Sequence, residues 1–186
     1  MKTLKLFLWM TLLTGVIYPL TITLIAQLTM KQTSDGGFLS ESGRVVGATL
    51  IGQGFVADQY FWPRPSATDY SPLPSGGSNL SVTSTALKQV VEMRKQRLLS
   101  SDPTIDLQTI PNELLYASGS GIDPHISPQG ALFQINRVVK ARGWDEQKGR
   151  ERLIQLIIAN TEQNSLFFLK QPCVNVLKLN MALQQP

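Results

Sequence analysis

The feature that most constrains this chain is an uncharged, apolar stretch close to its N-terminus. Leu6–Met30 contains no acidic or basic residue, while Lys2 and Lys5 precede it and Lys31 follows it. A helix of this length, rising about 1.5 Å per residue, can cross the roughly 30 Å of hydrocarbon in a bilayer. The alternative is a cleaved signal peptide, but the apolar region is long for one and Ala26-Gln27-Leu28 is a poor cleavage site. We therefore predict a retained transmembrane helix at residues 6–30.

The charges that flank this helix indicate its orientation. Two lysines precede it, whereas Lys31 is followed by Asp35 and Glu41. Basic residues are enriched on the cytoplasmic side of membrane helices. We therefore expect residues 1–5 in the cytoplasm and the rest of the chain on the outer side, in the periplasm or extracellular space.

One side of the predicted helix carries small and hydroxyl-bearing side chains. At about 100° per residue, these side chains fall within one arc of roughly 120°. The members of this partner-helix face are Thr11, Thr14, Gly15, Tyr18 and Thr21. Small residues let a second helix approach and hydroxyls can bond across the interface, so the arc indicates a partner helix. The alternative is that each threonine bonds a carbonyl of its own helix and the arc faces no partner.

Pro19 interrupts the hydrogen-bond ladder of the predicted helix. Because proline has no N–H to donate to the carbonyl of Gly15, we expect a kink at this point. A threonine hydroxyl or a neighbouring helix would satisfy the carbonyl that proline leaves free.

The remainder of the chain is long enough for one self-sufficient core but short for two. Residues 31–43 are rich in Gly, Ser, Gln and Thr and indicate a connector, which leaves residues 44–186 as one domain. Hydrophobic periodicity predicts helices at 83–99, 127–142 and 146–161 and strands at 44–52, 166–169 and 174–179. The alternative for the last strand is that the chain turns helical by Met181. The expected fold is a single N-terminal transmembrane helix plus a mixed α/β extracytoplasmic domain with a small sheet and three or more helices.

Charge and metal-ligand composition exclude some classes of function. The formal net charge is +4, with acidic and basic residues interspersed, which is too mild to indicate a nucleic-acid partner. The chain has one cysteine, Cys173, and one histidine, His125, so neither an intrachain disulfide nor a Cys/His zinc cluster can be built from them. We interpret Cys173 as a small buried group beside a strand, and we expect no bound metal.

A proline-rich stretch at residues 61–79 excludes regular secondary structure over a long distance. It contains four prolines and Gly76-Gly77, and the aromatic residues in and beside it argue against disorder. We interpret an ordered loop rich in aromatic groups as a contact surface for a partner protein. The candidate contact residues are Tyr60, Phe61, Trp62, Arg64, Ser66, Ser78 and Asn79.

A second candidate loop, Ser118–Ser127, is rich in glycine and serine and precedes a predicted helix. Such a loop can present backbone N–H groups to an anion, but it lacks the lysine of a Walker A motif and the GxGxxG spacing. The alternative is a tight turn in which Asp123 and Ser120 satisfy local backbone groups. The candidate contact residues in this loop are Ser118, Ser120, Asp123 and His125.

The same loop permits a hydrolase interpretation. Ser118 or Ser120 would be the nucleophile, His125 the base, and Asp123 or Asp69 the group that orients the histidine. The G-x-S-x-G nucleophile elbow is absent, and Asp123 and His125 flank a proline and can point apart. A membrane-anchored extracytoplasmic hydrolase is therefore the alternative function, which geometry must test.

Six blocks of the sequence carry a resemblance to a known family. The blocks are Val16–Leu20, Tyr60–Ala67, Ser75–Leu80, Ser118–Pro128, Arg137–Gly143 and Val174–Asn180. In this order they resemble the C subunit of the Kdp potassium-transporting P-type ATPase, the KdpC family. The resemblance spans essentially the whole chain, and a departure such as Ile122, where leucine is usual, is mild.

The resemblance implies a non-catalytic accessory subunit of a bacterial inner-membrane complex that imports K⁺ with high affinity at the expense of ATP. Its implied partners are a potassium-channel-like subunit, a P-type ATPase subunit and a small single-span subunit, together with the lipid bilayer. The family is expected to support assembly and, as a catalytic chaperone, to raise the ATP affinity of the ATPase subunit. This chain alone is expected to bind no cofactor, and ATP is implied for the complex.

The expected topology conflicts with direct nucleotide binding by this chain. ATP is cytoplasmic, whereas the predicted orientation places the domain outside. We therefore favour an indirect effect, in which stabilising one conformation of the partners changes their ATP affinity by linkage. The other possibility is that the domain caps the ion entrance of the channel-like subunit.

Overall fold

The computed structural model describes residues 2–41, 43–162 and 171–184, so the predicted strand at 166–169 lies outside the described residues. The chain divides into two compact units, Met1–Ala48 and Thr49–Pro186. The first unit contains the apolar N-terminal stretch, and the second contains both candidate contact loops.

Consecutive helical segments occupy the apolar stretch. They are α1 (Lys2–Leu12), a π-helical segment (Leu13–Ile17) and α2 (Tyr18–Thr29). None of their side chains is buried. Lys2–Thr29 is long and apolar enough to cross a membrane, and no other helix in the described part of the chain meets that requirement.

The rest of the first unit consists of a short helix and a hairpin. Its elements are α3 (Lys31–Ser34), β1 (Phe38–Glu41) and β2 (Arg44–Ala48). The predicted connector therefore contains regular structure, because β1 pairs with β2 in an antiparallel hairpin. The predicted strand at 44–52 ends at Ala48, since its partner Phe38 is the first residue of β1 and nothing in the hairpin lies opposite the residues that follow.

Local capping signals account for where three helices of the second unit begin. The helices are α4 (Thr85–Ser101), α5 (Asn112–Leu115), α6 (Pro128–Phe133), α7 (Ile135–Ala141), α8 (Glu146–Ala159) and α9 (Val176–Gln184). Ser84, Ser127 and Asp145 cap α4, α6 and α8, since each side chain accepts a hydrogen bond from a backbone N–H three residues later. The predicted helices at 83–99 and 146–161 are confirmed to within two residues at each end.

Two predicted elements have a different form in the structure. The predicted helix at 127–142 is interrupted at Gln134, where α6 ends and α7 begins. The predicted strand at 174–179 is only β5 (Cys173–Asn175), followed directly by α9. The Asn175 side chain accepts a hydrogen bond from the N–H of Lys178 at 3.1 Å, so it acts as a helix cap immediately after the strand.

A small antiparallel sheet lies in the second unit. β3 (His125–Ile126) and β4 (Thr161–Glu162) flank β5. His125 is paired with Asn175 and Glu162 with Cys173. Residues far apart in the sequence are thereby brought to one sheet.

Two hydrophobic clusters form the core of the second unit. The larger includes Phe61, Ile135 and Leu179, and the smaller includes Trp62 and Leu98. Phe61 and Trp62 are adjacent, and successive side chains of an extended segment point to opposite sides. The backbone therefore runs between the two clusters, with Phe61 in one and Trp62 in the other. The observed architecture is an apolar N-terminal helix, small antiparallel sheets and several helices, which agrees with the predicted fold in outline.

Candidate functional site

Residues 57–79, here named the central loop, have no regular secondary structure but are held by buried amide side chains. Asn180 accepts from the N–H of Phe61 at 2.8 Å and donates to its carbonyl at 2.9 Å. Gln134 does the same for Trp62, at 2.7 and 3.1 Å. The two amides thus replace the neighbouring strand that a buried extended segment would otherwise need.

A buried cation continues this network. Arg137 donates to the carbonyls of Asp58 and Tyr60 and to Oε1 of Gln134. Its guanidinium lies 3.9 Å from the ring centroid of Trp62, and that of Arg97 lies 4.1 Å from it. Burial lowers the pKa of Arg137 to about 10, so the group stays charged at neutral pH. The hydrogen bonds from Arg137 go chiefly to carbonyl oxygens of the loop, and they hold these carbonyls pointing toward the guanidinium.

Two of the predicted contact residues are core residues. Phe61 is 0% exposed and Trp62 is 7% exposed, so their side chains do not lie on the surface of this chain. The proline-rich loop is ordered because these aromatics are buried. Tyr60 is half-buried, and its hydroxyl accepts a hydrogen bond from Gln184 at 3.1 Å.

Ser66 holds the next turn of the central loop. Its hydroxyl accepts from the N–H groups of Thr68 at 3.0 Å and Tyr70 at 2.9 Å. Asp69 and Tyr70 both have positive φ, 53° and 58°, which is an uncommon conformation for such residues. The Tyr70 hydroxyl donates to the carbonyl of Arg64 at 2.8 Å, and burial raises the pKa of Tyr70 to about 12. Ser66 therefore stabilises the loop itself, while Ser78 and Asn79 remain exposed.

Residues 118–127, the Gly/Ser loop, pack closely against the central loop. The N–H of Ser118 donates to the carbonyl of Pro65 at 3.0 Å. Gly121 has a φ of 72°, and a Cβ atom there would lie 2.6 Å from both the carbonyl oxygen of Gly76 and Oγ1 of Thr68. Only glycine fits this crossing, so the two loops predicted separately form one structural unit.

Ionisable side chains lie together where the two loops adjoin. Nη1 of Arg64 lies 2.9 Å from Oδ2 of Asp123, and Oδ1 of Asp123 lies 3.6 Å from Nδ1 of His125. Burial alone would raise the pKa of Asp123, but hydrogen bonds from His125 and the Arg64 charge outweigh it, so the pKa lies below its usual value. Asp123 therefore carries a negative charge at neutral pH.

A cleft of about 210 Å³ opens beside this charged group. Its lining includes Arg64, Asp123, His125 and Cys173. Glu113 also lines it, and its carboxylate accepts from the N–H and the hydroxyl of the helix-capping residue Ser127. The sequence signals the cap at Ser127, but it gives no sign of a carboxylate partner fourteen residues earlier.

Of the two alternatives for the Gly/Ser loop, an anion-binding loop and a tight turn, the hydrogen bonds favour the tight turn. Side chains within the loop accept hydrogen bonds from its own backbone N–H groups. Ser120 accepts from the N–H of Ile122 at 3.2 Å, and Asp123 accepts from that of His125 at 3.0 Å. Ser118 is 2% exposed. Within the described residues no hydrogen bond joins His125 to either serine. The geometry therefore gives the hydrolase alternative no support.

The helix face has a different geometry from that of a uniform α-helix. The N–H of Tyr18 donates to the carbonyl of Leu13, five residues earlier, just before Pro19. Such an extra residue in one turn rotates the following part of the helix by about 100°. Thr11 and Thr14 are therefore turned away from Tyr18 and Thr21, and the five predicted residues do not form one continuous arc.

Two of the threonine hydroxyls on the predicted face bond the backbone of their own helix. Thr14 donates to the carbonyl of Met10 at 2.7 Å, and Thr21 donates to that of Ile17 at 2.8 Å. These donors need no second helix. Gly15 differs, because no atom lies within 4 Å of the position that its Cβ would occupy. The backbone at Gly15 is therefore open to the close approach of a second helix, and the partner-helix face remains a prediction.

Comparison with known proteins identifies the family. The family model described as "KdpC: K+-transporting ATPase, c chain" matches residues 1–185. The chain belongs to the KdpC family. A Potassium-transporting ATPase KdpC subunit from Sorangium cellulosum is 46% identical over 185 residues, covering 97% of this chain and 94% of the relative. One from Leptospira interrogans is 43% identical over 179 residues, covering 96% and 90%.

These matches confirm the resemblance that the sequence blocks carry. A KdpC subunit from Geobacter sulfurreducens is also 46% identical over 177 residues, covering 93% of this chain and 90% of the relative. The match to the KdpC family model covers the whole apolar helix and extends through α9. The apolar helix, the central loop and the Gly/Ser loop all lie within the matched region, so none of them is an addition peculiar to this chain.

Proposed function

We propose that this chain is a non-catalytic accessory subunit of an ATP-driven K⁺ import complex. The observation that carries the proposal is an apolar helix with no buried side chain in a chain that belongs to the KdpC family. Such a helix needs lipid or other helices around it. Its implied partners are the channel-like subunit, the ATPase subunit and the small single-span subunit of the complex.

The second unit would be a rigid contact element on the outer side of the bacterial inner membrane. The central loop is held to the Gly/Ser loop at Gly121, and it is held to the neighbouring helices by the buried side chains of Asn180, Gln134 and Arg137. A surface fixed in this way binds a partner without a large loss of loop entropy. The candidate residues that remain accessible for such contacts are exposed Ser78, Asn79 and Ser120 and half-buried Tyr60, Arg64, Asp123 and His125.

Its effect on ATP use would be indirect. A subunit that binds one conformation of its partners better than another shifts their equilibrium by the difference in affinity. Each difference of about 1.4 kcal/mol changes the ATP affinity of the ATPase subunit by as much as tenfold. Assembly and support of ATP use would then have one cause, which is preferential binding to the ATP-competent conformation. Capping of the ion entrance by the second unit is compatible with the same contacts.

The proposed topology can be tested with single cysteines. We place a cysteine at the exposed position Thr3, before the helix, or at Val82, which is 85% exposed, each in a Cys173→Ser background. A membrane-impermeant maleimide should modify Val82→Cys in intact spheroplasts and Thr3→Cys only after lysis. The reverse pattern would place the second unit beside cytoplasmic ATP, and it would contradict the indirect mechanism.

A further inference from the structure

The three strands of the small sheet bring together the only histidine, the only cysteine and a carboxylate. His125 lies on β3, Glu162 on β4 and Cys173 on β5. One potential ligand atom from each residue lies within 4.8 Å of the other two. Cysteine and histidine alone are too few for a zinc cluster in this chain, but the glutamate supplies a third ligand that their counts do not reveal.

The sheet register explains the grouping. Glu162 is paired directly with Cys173, and His125 is paired with Asn175, two residues further along the same strand. Residues two apart on a strand point to the same face, so the side chain of Cys173 lies diagonally opposite that of His125. The backbone ladder thus holds the three side chains on one face of the sheet.

We propose that His125, Glu162 and Cys173 form a three-ligand binding site for a divalent cation of the Zn²⁺ class, with water in the fourth position. A set of one nitrogen, one sulfur and one oxygen ligand suits tetrahedral Zn²⁺ or Co²⁺ and is unsuited to Mg²⁺ or Ca²⁺. Ligand atoms around one tetrahedral Zn²⁺ lie roughly 3–4 Å apart. Small side-chain rotations are therefore sufficient to close the site.

Neighbouring groups support the histidine as a ligand. Oδ1 of Asp123 lies 3.6 Å from Nδ1 of His125, and the other oxygen of Asp123 is held by Arg64. A carboxylate that accepts from one ring nitrogen orients the imidazole so that the other nitrogen can bind a metal ion, and Asp123 is close enough to take this position after a small movement. His125 and Cys173 also line the open cleft of about 210 Å³, so an ion can reach them from solvent.

Lys178 competes with the metal for Glu162. Its Nζ lies 2.6 Å from Oε1 of Glu162, so this ion pair must open before the carboxylate can coordinate. The Cys173 thiol must also lose its proton: the S–H bond breaks, an S–metal bond forms, and the proton passes to water. Both requirements lower the apparent affinity without removing a ligand.

Co²⁺ titration of the full-length chain in detergent tests the site. Co²⁺ bound to a thiolate gives a charge-transfer absorption band, and we expect this band to saturate at one Co²⁺ per chain and Zn²⁺ to remove it. Cys173→Ser should abolish the band. His125→Ala and Glu162→Gln should each weaken Co²⁺ binding about tenfold or more. Lys178→Met should strengthen it, whereas Lys148→Met on the exposed part of α8 should not change it.

A second measurement uses the unaltered chain and does not depend on the folding of any variant. Zn²⁺ should slow alkylation of Cys173 by iodoacetamide in a saturable manner, and Mg²⁺ should not. Absence of both the Co²⁺ band and the protection by Zn²⁺ would overturn the proposal. A band that His125→Ala and Glu162→Gln leave unchanged would also overturn it, because it would show an ion bound adventitiously to the thiol.

Discussion

Replacing Gly121 by alanine is expected to destabilise the second unit by about 3 kcal/mol or more. A Cβ at this position would lie 2.6 Å from a backbone oxygen, that of Gly76, and from Oγ1 of Thr68. The φ of 72° adds backbone strain for any residue that has a Cβ. The clash cannot be relieved by rotating one side chain, because the Gly76 oxygen belongs to the central loop backbone. The effect is measured as a shift in the denaturation midpoint of the full-length chain in detergent.

Gly119→Ala is the matched control for this prediction. Gly119 lies in the same Gly/Ser loop, and nothing lies within 4 Å of the position its Cβ would take. The Gly119 variant should therefore differ from the unaltered chain by no more than about 0.5 kcal/mol. Equal stability of the two variants would show that the loops do not cross closely at Gly121.

Removing either buried amide should have a comparable effect. Asn180→Leu leaves the N–H and the carbonyl of Phe61 without partners, and Gln134→Met does the same for Trp62. Each buried polar group left unpaired costs about 1–3 kcal/mol, so each variant, which leaves two such groups, should lose roughly 2–6 kcal/mol of stability. Denaturant unfolding, together with the rate of proteolysis within the central loop, measures the change.

An exposed amide provides the comparison. Gln184 on α9 donates to the hydroxyl of Tyr60, and its side chain is exposed. Gln184→Met should change the free energy of unfolding by less than about 0.5 kcal/mol and leave proteolysis of the central loop unchanged. If Asn180→Leu and Gln134→Met changed the free energy of unfolding as little as Gln184→Met, the buried amides would not be what holds the central loop.

Features that depend on nearby residues could be predicted from the sequence. The apolar helix follows from its composition, and α4 and α8 follow from periodicity and from the caps at Ser84 and Asp145. The second unit's sheet was predicted only as small, because its strands are two or three residues long and too short to show alternation. The helix cap at Asn175 is a local signal that could have limited the last strand.

Features that depend on distant residues could not be predicted in this way. Asn180 bonds Phe61 across 119 positions, and Gln134 bonds Trp62 across 72. Their residue types are typical of exposed positions, so nothing local marks them as buried. For the same reason the sequence predicts Phe61 and Trp62 as contact residues, although both are buried. Their burial becomes evident only when the partners of the two backbone segments are known.

The sequence pattern also does not predict the π-helical segment. Pro19 indicates an irregularity, but the shift of hydrogen bonding to Leu13 is not specified by proline alone. The shift divides the predicted helix face and makes Gly15 its most informative position. The surfaces that precede and follow the π-helical segment therefore point in different directions, and a partner helix would contact each of them separately.

Docking of the apolar helix against a partner can be tested at Gly15, where the isolated chain has room for a larger side chain. The most direct measurement is recovery of the partner subunits with an affinity-tagged chain from detergent-solubilised membranes. The unaltered chain and Val16→Leu should recover the channel-like and ATPase subunits equally, and Gly15→Leu should recover about tenfold less, which corresponds to about 1.4 kcal/mol. Recovery of the tagged chain without its partners would contradict the proposed role, and full recovery with Gly15→Leu would contradict docking at Gly15.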